Sequence, residues 1–180
     1  MRTSECYRDL VLKIDQRSTT VAIIGLGYVG LPLATMVAGA GFKVSGIERN
    51  PSRVASINAG HSYIEDLTND DLSQFVENGY ISAESGFSSI SNAGVVSICV
   101  PTPLDKNRNP DTSYIEFVVK NSVPYMRKGQ LLILESTTYP GSTKELILPY
   151  IQNSGFDVGK DFFLCFSPER IDPGLSLIHI

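Results

Sequence analysis

Gly25, Gly27 and Gly30 stand in the spacing G-x-G-x-x-G within GLGYVG, with Tyr28 and Val29 between the last two. In such a turn the first glycine permits a tight reversal. The second lets backbone approach a pyrophosphate with no Cβ between, and the third lets a helix lie close on its strand. The N-terminus of that helix offers free N–H groups and a partial positive charge to phosphate oxygens. Glu48 follows at close to the ~20-residue distance at which an acid takes the adenosine ribose hydroxyls. A carboxylate there accepts two hydroxyl protons and repels a 2′-phosphate, which favours NAD over NADP. Arg49 beside it is the residue type that accommodates such a phosphate. Arg53 is either within reach of the adenosine end of a cofactor or an ordinary surface arginine. Thr102 is held between Pro101 and Pro103, Thr137 lies in ESTTYPG and Glu169 in SPER. By residue type alone, Thr137 is equally a hydroxyl capping the next turn, and Glu169 equally a surface acid paired with Arg170.

These groups need elements to position them. Val21–Ile24 is an uncharged apolar run that suits a strand buried on both faces, and the apolar stretch after Gly30 reads as a helix stopping near Gly39 and Gly41. Residues 42–47 read as the second strand, ending at Glu48. Asn50 and Pro51 open a helix closed by Asn58-Ala59-Gly60. A helix is expected over 66–78, ended by Gly79, and a short strand over 87–90. Residues 94–100 form another buried strand, followed by a helix capped by Asp111 or Thr112 and running to about Met126. Residues 130–134 form the next strand, followed by a helix capped by Ser142 or Thr143 and running to about Asn153. A last strand, 162–166, leads into SPERIDPG. The predicted fold class is α/β, a Rossmann-type doubly wound parallel sheet with helices on both faces. The loops VPTPL, ESTTYPG and SPER leave strand ends on the same edge as the glycine turn, so they converge there.

Composition narrows the classes. At 180 residues, with 42% hydrophobic and 19% charged content, the chain is expected to form one soluble domain over 20–174, after a lead-in over 1–19 that carries a short helix from Glu5 to Ile14. The net charge of −4, without a Lys/Arg cluster, argues against a nucleic-acid partner. No apolar run approaches the ~20 residues needed to span a bilayer, and no signal-peptide core opens the chain, so no membrane partner and a cytoplasmic location are expected. Cys6, Cys99 and Cys165 have no metal spacing. Cys99 and Cys165 lie in apolar runs, where a reduced cysteine packs as a small hydrophobe.

With GLGYVG, ICVPTPLDKN, ESTTYPGST and SPERIDPG in that order, the chain resembles the N-terminal NAD-binding domain of the UDP-glucose/GDP-mannose dehydrogenase family over about residues 20–174. The forms ICVPTPL and SPERIDPG are most similar to the branch that oxidises UDP-N-acetylglucosamine at C6 for surface-polysaccharide synthesis. The resemblance implies oxidation of a UDP-sugar C6 alcohol to the carboxylate with two NAD⁺, by way of a thioester on a cysteine. It implies that Gly25, Gly27, Tyr28, Val29 and Gly30 form the pyrophosphate loop, with Glu48 the ribose acid and Arg53 the arginine that follows it. Thr102 then contacts the cofactor, and Thr137 stands between nicotinamide and the reacting centre. Glu169 assists water attack on the thioester.

Pro173 replaces the second glutamate of UDP-glucose dehydrogenases, in keeping with an N-acetylhexosamine substrate. Family members run to about twice this length, and their nucleophilic cysteine and catalytic lysine lie beyond the matched region. A cofactor-domain fragment is therefore expected, inactive alone, with residues 175–180 non-native or truncated and the parent protein a homodimer or higher oligomer. A non-catalytic NAD-binding or redox-sensing module is the alternative, though it leaves Thr137 and Glu169 without a role. A 3-hydroxyacid dehydrogenase shares the nucleotide fold but does not call for ESTTYPG followed by SPER.

Overall fold

The computed structural model describes residues 4–103, 106 and 110–168. Among these residues six parallel strands make one sheet in the order β3-β2-β1-β4-β5-β6: β1 Thr20–Ile24, β2 Lys43–Ile47, β3 Ile81–Glu84, β4 Ala93–Ile98, β5 Leu131–Leu134 and β6 Phe163–Phe166. From β1 the chain steps outward through β2 to β3, then returns to place β4 on the other side of β1. The loops after β1 and β4 therefore diverge and leave a crevice at the carboxyl ends of the strands. The doubly wound α/β expectation holds.

Alternation along the strands sorts the core into two layers. Ala22 and Ile24 of β1, with Val96 and Ile98 of β4, face α5 (Ser113–Ser122) and α6 (Leu148–Asn153) through Ile115, Val119 and Ile151. Val21 and Ile23 face the opposite layer: α1 (Glu5–Asp15), α2 (Gly30–Gly39), α3 (Pro51–Asn58) and α4 (Asn69–Glu77), which contribute Leu10, Leu31, Ile57 and Leu72. A central strand buried on both faces has no polar alternation to show, hence the continuous apolar run. In α2, Pro32 falls in the first turn, where its missing N–H costs nothing. No helix among the described residues is long and apolar enough to cross a membrane.

Several local expectations are corrected. Residues 87–90 are not a strand: Ser88–Asn92 is a 3₁₀ turn that buries Ile90, and the edge strand is Ile81–Glu84. The helix expected from Asp66 begins at Asn69, because the Thr68 hydroxyl accepts from the Asp71 N–H and fixes the start. The helix expected to reach Met126 stops at Ser122 and passes into a 3₁₀ turn holding Pro124. Thr112 holds the N-cap position without a side-chain cap bond, and Asp111, one residue earlier, accepts from the Ser113 N–H at 3.0 Å.

Neither Ser142 nor Thr143 caps the next helix. Thr143–Ile147 is a π-turn in which the Leu148 N–H reaches the Thr143 carbonyl. Pro149 has no N–H to return to the carbonyl four residues back, and the turn before it widens. Cys165 is exposed rather than packed: among the described residues β6 is the outer strand and pairs with β5 alone.

One buried side chain ties the entry of β4 to that of β5. Gln130 is fully buried; its amide donates to the Ile90 and Ala93 carbonyls and accepts from the Arg127 N–H. Gln130→Leu removes three hydrogen bonds. The Ile90 carbonyl keeps the Ala93 N–H and the Ala93 carbonyl keeps the Arg127 guanidinium, while the Arg127 N–H loses its acceptor, at a cost of ~1–3 kcal/mol for a group left without a partner. Thermal unfolding should show a loss of about 2 kcal/mol, a fall of roughly 4–8 °C for a domain of this size, with dinucleotide binding by the residual folded protein unchanged.

Candidate functional site

The three glycines of the turn have different jobs. Gly25 has φ +90°, and a Cβ there would stand 2.8 Å from the Cys99 carbonyl oxygen. A Cβ on Gly30 would overlap the Gly25 carbonyl oxygen, so only glycine lets α2 start this close to the turn. Gly27 has neither a left-handed φ nor any heavy atom within 4 Å of its missing Cβ. Packing does not require a glycine at 27; open space beside the start of α2 does, if something is to lie there. No side chain caps that start, at Val29, which leaves helix-terminal N–H groups for an anion. Tyr28 is exposed on the same turn.

Hydrogen bonds carry the strand ladder into the loops. The Gly25 N–H donates to the Ile47 carbonyl, the Cys99 N–H to Ile24 and the Glu135 N–H to Ile98. The loops after β1, β2, β4 and β5 therefore share one rim, around a cleft of about 680 Å³. Gly25, Gly27, Tyr28, Val29, Glu48, Arg53, Thr102 and Thr137 all line it. Gly30 sits directly behind them, under the turn.

Glu48 is 8% exposed. Its carboxylate accepts from the Asn50 N–H at 2.9 Å and from the Leu26 N–H at 3.3 Å. A carboxylate has about four lone-pair sites, so these two bonds orient it and leave capacity for two hydroxyls. Arg53 reaches back to within 3.9 Å of the same carboxylate and lies over the Tyr63 ring, 4.9 Å from its centroid. The Tyr63 hydroxyl donates to the Leu26 carbonyl at 2.5 Å. Burial, and after it the Glu48 charge, pushes the Tyr63 phenol up to about 12, so it remains a neutral donor at physiological pH.

On the opposite rim the Thr102 hydroxyl donates to the Thr137 carbonyl at 2.5 Å, joining two predicted site residues from different loops. Ser136, buried, locks the same pair of loops by donating to the Val100 carbonyl at 2.7 Å. Thr137 is exposed at the cleft. Glu169 lies outside the described residues.

Sequence reasoning missed Tyr63, Ser136 and the exposed aromatics Tyr114 and Phe117, which add apolar wall to the cleft from α5. The serine carried a signal, since it stands within ESTTYPG, and the aromatics follow the VPTPL loop in the next helix; Tyr63 lies in a polar stretch with no periodicity.

The glycine division of labour can be measured. Gly27→Ala should leave urea stability within ~0.5 kcal/mol while lowering dinucleotide affinity at least about tenfold. Gly30→Ala should cost ~3 kcal/mol or more through backbone displacement. A Gly27→Ala protein that is destabilised yet binds normally would contradict the assignment.

Comparison with known proteins agrees with this geometry. Residues 19–179 match the NAD binding domain of the UDP-glucose/GDP-mannose dehydrogenase family. The UDP-N-acetyl-D-glucosamine 6-dehydrogenase of Pseudomonas aeruginosa is 36% identical over 155 residues, covering 86% of this chain and 36% of that protein. The UDP-N-acetyl-D-mannosamine dehydrogenase of Pyrococcus horikoshii is 34% identical, covering 86% of this chain and 37% of that protein. The crystal structure of GDP-mannose dehydrogenase from Pseudomonas aeruginosa superposes with a TM-score of 0.80 at 31% identity, over 85% of this chain and 36% of that one. The chain thus spans little more than a third of the length of these relatives. With the glycine turn and the VPTPL and ESTTYPG loops meeting at one cleft, the chain belongs to the UDP-glucose/GDP-mannose dehydrogenase family, as its NAD-binding domain.

Proposed function

We propose that this chain is the cofactor domain of an NAD-dependent dehydrogenase that oxidises the C6 alcohol of a UDP-sugar, UDP-N-acetylglucosamine, to the uronic acid. The observation that carries this reading is the Thr102–Thr137 hydrogen bond, which holds the ESTTYPG loop on the rim of the cofactor cleft. A non-catalytic binding module would need the glycine turn and Glu48 but not a pair of loops tied together on the far side of the cleft.

Bound NAD supplies the hydride acceptor. The residues of this chain hold and orient it: the open N-terminus of α2 and the Gly27 gap take the pyrophosphate, and Glu48 takes the adenosine ribose hydroxyls. Glu48 also sets a negative charge against any 2′-phosphate. Thr102 and Ser136 fix the backbone from which Thr137 presents its hydroxyl to the reacting centre. Glu169, three residues after Phe166 in the sequence, serves as the base that activates water; assistance of this kind contributes ~10²–10⁴-fold. The choice of the glucosamine epimer rests on ICVPTPL and SPERIDPG, since relatives acting on the two C2 epimers are about equally similar. A homo-oligomeric parent protein, a role in polysaccharide synthesis and a cytoplasmic setting belong to the same reading.

Calorimetry on the folded 180-residue chain should give NAD binding, with NADP at least about tenfold weaker, and Glu48→Ala should lower NAD affinity by about a hundredfold, the loss of two charge-assisted hydrogen bonds. The chain alone should reduce no NAD with UDP-N-acetylglucosamine, whereas the full-length protein containing it should reduce two per sugar. Absence of NAD binding would overturn the cofactor reading, and a full-length preference for UDP-N-acetylmannosamine would overturn the sugar.

A further inference from the structure

The geometry points to Tyr63 as a positioning residue for the cofactor: by holding the Leu26 carbonyl, its hydroxyl sets the path of the glycine turn along which the diphosphate lies. The inference rests on the reading of the cleft as an NAD site, and goes beyond it in assigning a residue that lies outside all four recognised loops.

Leu26 stands between Gly25 and Gly27, and its own side chain is fully buried. Its flanking residues have no side chains with which to restrain the turn, so besides the buried Leu26 side chain and the Gly25 N–H bond to Ile47 the bonds of the Leu26 backbone set its path. The Leu26 N–H is taken by Glu48 at 3.3 Å and the Leu26 carbonyl by the Tyr63 hydroxyl at 2.5 Å. With that carbonyl held, the Gly27 N–H of the same planar peptide is turned the opposite way. A peptide flip, sterically easy beside glycine, would exchange donor for acceptor in the turn.

Tyr63 is itself fixed on both sides. Ser62 makes a local turn with Ile64, whose side chain is buried, and the Tyr63 ring lies against Arg53, which reaches Glu48. Glu48, Arg53, Tyr63 and Leu26 thus close a ring of contacts that joins the ribose end of the site to the pyrophosphate end before any ligand arrives. A turn already held in its binding conformation does not lose freedom on association, and that saving appears as affinity.

Tyr63→Phe keeps the ring on Arg53 and removes only the hydroxyl. On the 180-residue chain, binding of NAD and ADP-ribose, both of which carry the diphosphate, should weaken by about tenfold, the ordinary worth of one well-placed hydrogen bond whose partner is left bare. Adenosine, which engages the Glu48 end alone, should bind with unchanged affinity by competition or NMR titration. Wild-type and Tyr63→Phe proteins binding NAD equally well would overturn the role of Tyr63 and leave the cofactor reading intact. An equal loss for adenosine would mark a structural effect and also overturn it. Failure of the folded wild-type chain to bind NAD would overturn both.

Discussion

Everything at this site depends on how closely α2 begins to the turn that precedes it. The first residue of the helix lies against the Gly25 carbonyl with no room for a methyl group, and Gly25 lies against the backbone that leaves β4. Two strand ends and a helix start are thereby compressed into one layer. The helix N-terminus is left facing the crevice where the chain reverses between β1 and β4. Anion affinity follows from that placement, because the unpaired N–H groups and the helix dipole point at the same small volume. The fold supplies the charge of the phosphate site without a lysine or arginine in the turn.

From this constraint the rest of the cleft follows as a matter of fastening. One rim is fastened by Glu48 and Tyr63 to the peptide groups of Leu26, the other by Thr102 and Ser136 to the carbonyls of Thr137 and Val100. Each side chain comes from a loop that leaves the carboxyl end of a strand, or from the stretch after α3. Each holds backbone rather than another side chain, an arrangement that fixes loop paths while leaving the cleft wall apolar and open. Arg53 neutralises part of the Glu48 charge without removing its acceptor capacity.

The central strands, the turn and the strand-end loops were legible in the sequence because each carries its own local signal: uncharged runs for doubly buried strands, and glycines at positions with no room for a side chain. What depended on partners far along the chain was not. β3 has only four residues, of which only Ile81 is buried, and it exists by pairing with β2. Tyr63 matters because of a carbonyl that lies 37 residues earlier. Other departures did carry readable signals: Pro149 foretells a disturbed helix, and Thr68 with Asp71 is a capping pattern. The exposure of Cys165 is a property of its place at the sheet edge, which no local composition reports.

The central claim is that a dinucleotide lies across the glycine turn with its diphosphate on the first turn of α2. Amide NMR of the isotopically labelled chain, titrated with NAD, tests it most directly. The largest shifts should fall at the amides of Gly27, Tyr28, Val29, Gly30 and Leu31, with lesser ones beside Glu48 and Thr102, and none at the amino ends of the strands near Thr20 and Leu131. Saturable shifts clustered away from residues 27–31, or no shifts in a folded chain, would contradict it.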